Sequence, residues 1–138
     1  DVCKHAKHLA QLLDGFGFEV VGRNFGFTNT HQVWLIINDE IKVWQAFAAL
    51  HQAGIRAFPA HLPFVKKWGL RLSAHAVTRL GFGSSEIVEL AHILKNILIE
   101  KQSIEKVNIS VKKLMANFDI SKVKYGFSLK EEVEDVGM

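Results

Sequence analysis

The chain has 138 residues, 49% of them apolar and 22% charged, with a formal net charge of +3 at pH 7. This balance describes a globular domain with enough material for a core and excludes a disordered chain. The surplus of positive charge is too small and too scattered for a nucleic-acid partner. No apolar run approaches the roughly 18 residues of a membrane span. A single cysteine, Cys3, excludes an internal disulfide framework and points to a reducing, cytoplasmic setting.

In chain order, Val2, Ala6, Leu9, Leu13 and Phe16 share one face of a predicted helix, stopped by Gly15 and Gly17. A short strand follows at 18–21, and then a loop rich in Gly, Asn and Thr at 22–30. The stretch 31–38 reads as a second strand. Val33, Leu35 and Ile37 point one way. Trp34 and Ile36 make the other face apolar too, which predicts a central strand covered on both sides. A helix capped by Asn38 or Asp39 places Val43, Phe47 and Leu50 inside and ends at Gly54. Residues 55–58 read as a strand, with Pro59 and Pro63 bracketing a loop after it. The third main strand spans 69–75. A helical turn ends at Gly81, and Ser84 or Ser85 is expected to cap the next helix, whose stripe is Ile87, Leu90, Ala91, Leu94 and Leu98. A last helix covers 103–117, with Ile104, Val107, Val111, Leu114 and Phe118 on one side. The acidic tail from 123 is expected to be mobile at its end. This order predicts an α+β fold, a small and mostly antiparallel sheet with helices packed on one face.

Little in the chain carries chemistry. Of seven histidines, His5 and His8 share the first helix at i, i+3 with no Cys, Asp or Glu at matching spacing, and the other five fall on different elements, so no metal is expected. No nucleophile motif surrounds a serine or Cys3. "GFGSSE" places two glycines before a helix start, where backbone N–H groups can meet a phosphate, but the spacing is that of an ordinary helix-start turn. Arg71 stands out. It lies between Leu70 and Leu72 in an apolar strand, where a guanidinium is costly unless an anion meets it. Either it reaches water or an internal carboxylate, or it grips a ligand carboxylate through two parallel N–H···O bonds. For Trp34 and Trp44, ordinary core is the expectation.

The stretch "GLRLSAHAVTRLGF", 69–82, resembles the C-terminal signature of serine hydroxymethyltransferases, roughly G-[IL]-R-[ILV]-G-T-x-x-[IVM]-T-x-x-G. "KHAKHLAQLLDGFGFEVV", "FTNTHQVWL", "ALHQAGI" and "SSEIVELAHIL" resemble further segments of that family in the same order, so the likeness covers about 1–102. It implies the C-terminal small domain of a fold-type-I, pyridoxal-phosphate-dependent enzyme, with 103–138 as a helical extension. It gives Arg71 the role of binding the carboxylate of a small amino-acid substrate, and Thr78 and Arg79 structural support. It implies pyridoxal phosphate held by a large domain of the same enzyme, and a homodimeric parent. No cofactor-binding or catalytic residue carries over, so the chain alone is expected to be inactive, as a piece of a longer enzyme. Ser73-Ala74 replaces the family's Gly-Thr, and 56–68 lacks the asparagines found near its folate site. A folate-independent relative, a threonine aldolase or transaldolase, is the alternative. A non-catalytic docking domain using Trp34, Trp44, Trp68, Phe25, Phe27, Phe58 and Phe64 is another.

Overall fold

The computed structural model describes residues 2–23, 26–27, 30–62, 66–116 and 118. The tail from 123, and Phe25 and Phe64 among the aromatic residues, lie outside the described residues.

Helix α1 (Val2–Gly15) buries Ala6, Leu9, Ala10 and Leu13, the stripe its spacing predicts. Strand β1 (Glu19–Val20) is shorter than expected and pairs with β2 (Gln32–Ile36). Helix α2 (Glu40–Gln52) starts at Asp39, whose carboxylate accepts the Lys42 N–H at 3.0 Å. Strands β3 (Phe58–Leu62) and β4 (Lys67–Ser73) follow. Helix α3 (His75–Leu80) is a turn and a half, closed by Gly81 in the left-handed region (φ 98). Helices α4 (Ser84–Leu98) and α5 (Ile104–Met115) complete the chain order. Ser103 caps α5 through the Lys106 N–H. Beyond α5, Phe118 packs on Phe82 with ring centroids 4.8 Å apart.

The four strands form one antiparallel sheet in the order β1-β2-β4-β3. Register pairs Val33 with Leu72 and Leu35 with Leu70. All four side chains are buried and join one core with α1, α2, α4 and α5. The α+β architecture with helices on one sheet face is the one the element order predicts.

Four expectations change. The strand expected at 55–58 lies at 58–62 and contains Pro59. Proline is tolerated there because β3 is an edge strand and its outward side needs no N–H donor. Gly83, rather than Ser84 or Ser85, precedes α4. Glu86 turns back to accept the Gly83 N–H at 3.2 Å, and Ser85 Oγ donates to its other oxygen, so both serines fall inside the first turn. These bonds, the serine's first, hold the Glu86 carboxyl below its ordinary range. Strand β2 is central, but helices cover one side only, leaving Trp34 and Ile36 half-buried. Trp44 is not core: it is 50% exposed. One position beyond buried Val43, it is turned about 100° round the helix, and it packs edge-on against Phe47.

Candidate functional site

The open face of the sheet is set by register. Trp34 on β2 and Phe58 on β3 both stand opposite Arg71 on β4. The three residues therefore form one row across the sheet, on the side away from the core. The next row is Ile36, Gly69 and Ala60. The arginine is exposed. It makes no hydrogen bond, ion pair or ring contact with any described residue. Its neighbours in the row are occupied. The Trp34 indole N–H donates to Gln32 Oε1 at 3.0 Å, and the Arg56 guanidinium lies 4.8 Å over the Phe58 ring. Alternation along β4 thus resolves the conflict between Arg71 and its leucine neighbours. Leu70 and Leu72 enter the core, while Arg71 points the other way.

The remaining residues of the 69–82 stretch are engaged in structure. A Cβ at Gly69 would collide with the Leu35 carbonyl and the Leu62 side chain, so only glycine fits. Thr78 Oγ1 lies 2.8 Å from His5 Nδ1, joining α3 to α1. Gly81 supplies the positive φ that ends α3, and its N–H returns to the carbonyls of Val77 and Thr78. Arg79 is half-buried on α3 and has interactions of its own. Arg71 is left as the residue of the stretch with no structural task among the described residues, and its five N–H donors suit a carboxylate fork.

Burial, reinforced by the charges of His8 and Lys4, lowers the His5 pKa from its ordinary value. Several other histidines pack against rings: His92 on Phe16, His61 on Trp68, His51 on Phe47, and His31 beside His75. Among the described residues no group of three His, Cys, Asp or Glu side chains is placed to hold a metal. No described helix is long and apolar enough to cross a membrane. Sequence reasoning missed the aromatic row around Arg71, since Trp34 was assigned to the core. The signal available was parity: Trp34 alternates with Val33 and Leu35, which belong inside.

The described residues thus form a one-sided antiparallel sheet with Arg71 on its open face, without a described partner. The fold superimposes on L-threonine transaldolase from Pseudomonas fluorescens with a TM-score of 0.85 and 28% identity, over 99% of this chain and 33% of that one. Serine hydroxymethyltransferase of Cenarchaeum symbiosum is 33% identical over 138 residues, covering 94% of this chain and 31% of the relative. The Pyrococcus horikoshii serine hydroxymethyltransferase is 33% identical, covering 94% of this chain and 33% of that protein. No protein-family profile matches. Sequence and fold together place the chain with the C-terminal small domain of the serine hydroxymethyltransferase-like, fold-type-I enzymes. It spans about a third of the length of the relatives it matches.

Proposed function

We propose that the chain is the substrate-carboxylate-binding domain of a pyridoxal-phosphate-dependent, serine hydroxymethyltransferase-like enzyme, and that Arg71 grips the α-carboxylate of a small amino acid. The observation that carries this reading is the contrast within one stretch. Gly69, Thr78 and Gly81 are explained by packing, whereas Arg71 is an exposed cation without a described partner. In this reading the chain, 1–138, is one domain, and 103–138 is its C-terminal extension, helical over Ile104–Met115. Glycine and serine are the amino acids, within one-carbon metabolism in the cytoplasm, and the parent enzyme is a homodimer.

Arg71 stands on an open sheet face, and neither the cleft between α1 and α4 nor the one bounded by α2, α4 and α5 takes it in. In this reading pyridoxal phosphate is held by a large domain of the same enzyme outside this chain, which fits the one-third share of its relatives that the chain covers. When bound there, it supplies the electron sink for bond breaking at the substrate's α-carbon. The task of this chain is orientation. A two-bond grip by Arg71 fixes the carboxylate, and through it the direction of the other α-carbon bonds. Trp34, pinned by Gln32, and Phe58, covered by Arg56, limit the side from which a substrate can approach.

In the enzyme that carries this domain, Arg71→Ala is expected to lower kcat/KM by about a hundredfold or more, raising KM and lowering kcat together, as two charge-assisted bonds are lost. A kcat/KM within a few-fold of the unaltered enzyme overturns the assignment. A folate-independent transaldolase is the second reading. It is supported by the Pseudomonas fluorescens likeness and by the lack of asparagine in 56–68. Serine–glycine exchange that depends on tetrahydrofolate separates the two.

A further inference from the structure

Between α1 and the start of α4 lies a cleft of about 510 Å³, lined by Lys4, His5, Lys7, His8, Gln11 and Ser84. It is on the helical side of the sheet, away from Arg71. Lys4, Lys7, His8 and Gln11 are spaced i, i+3, i+4 and i+7, so they share one face of α1. His5 is committed to Thr78. His8 Nδ1 and Ser84 Oγ are 3.5 Å apart and tie the two walls together. Among the described residues no carboxylate lines the cleft. The nearby Glu86 spends both oxygens on the Gly83 N–H and the Ser85 hydroxyl. Neither lysine has an ion pair with any described residue. Two like charges at i, i+3 on a helix repel one another, and no described carboxylate lies within ion-pair distance of either.

We propose that this cleft binds a phosphate group, in the form of a phosphomonoester or free phosphate, between the Lys4 and Lys7 ammonium groups, His8, Gln11 and the Ser84 hydroxyl. Two ammonium groups, an amide and a hydroxyl supply donors from two helices, as a tetrahedral oxyanion requires. The cleft is larger than one phosphate group, which leaves room for the body of an ester. The site stands on residues other than Arg71, and the two assignments are independent.

The test is nuclear magnetic resonance titration of the whole chain with inorganic phosphate and, separately, ribose 5-phosphate, at constant ionic strength against chloride. Saturable shifts confined to Lys4, Lys7, His8, Gln11 and Ser84 are expected. Lys4→Gln/Lys7→Gln should weaken binding about fivefold or more, and Lys112→Gln/Lys113→Gln, on α5, should leave it unchanged. Tighter binding of the ester identifies a phosphomonoester site, and equal binding a free-phosphate site. Shifts that chloride reproduces, or an affinity that the Lys4/Lys7 double change leaves unaltered, overturn the proposal.

Discussion

Arg71 is the cation that the local sequence makes conspicuous and the sheet makes inexpensive. Its flanking leucines are buried, yet the guanidinium itself stays in water, so the desolvation cost that would attend a buried charge does not arise. A structural arginine and a ligand-binding one differ in what their removal does to stability. An exposed side chain with no described partner leaves nothing unpaired behind. Arg71→Leu in this chain is therefore expected to change unfolding free energy by no more than about 0.5 kcal/mol, measured by urea denaturation. A loss of about 2 kcal/mol would mean that the arginine holds the fold together, and the carboxylate assignment would lose its main support. The position of Arg71 was legible from the "GLR" resemblance. The flanking pair Trp34 and Phe58 was not, because neighbours across strands depend on register between segments far apart in the chain.

Helices α1, α4 and α5 were legible because a 3.6-residue spacing of large apolar side chains reports directly which face is buried. Strand β3 was not. Its sequence, "FPAHL", has a proline and weak alternation, and it pairs only because β4 offers an open edge. Strand β4 shows how tightly the sheet is built. Gly69 faces the Leu35 carbonyl on β2 and the Leu62 side chain on β3, and a methyl group there has no room. Gly69→Ala is expected to destabilise the chain by about 2 kcal/mol or more, since the obstruction includes backbone that cannot rotate aside. The same urea denaturation measures it. A cost under about 0.5 kcal/mol would show that β2 and β4 can part without loss. The start of α4 makes a related point. Two serines in a row suggest a cap, but the carboxylate at the third helical position fixes the helix start one residue earlier, at Gly83.

The bond between His5 and Thr78 joins residues 73 positions apart, and it makes stability sensitive to acid. The folded chain lowers the His5 pKa, chiefly by burial, so below the unfolded value of about 6.5 the unfolded chain holds more protons. The His5 contribution is complete above that value. It declines as pH falls through it and levels off once His5 is charged in both states. Urea midpoints between pH 7.5 and 5 are expected to fall with acid, and His5→Gln, which can still reach Thr78, should flatten that fall. An unchanged slope in the variant would remove His5 as the cause. Local order, meaning the helices, their faces, the turn glycines and the class of the fold, followed from residue spacing alone, because each depends on neighbours within a few positions. Tertiary structure decided the rest: that Pro59 lies in an edge strand, that Trp44 is outside, that Arg71 stands between two aromatic residues without a described partner, and that α1 and α4 enclose a cleft lined with basic groups. Each of these depends on which distant segments meet, and that is settled by one cooperative packing of the core rather than by any stretch of sequence within it.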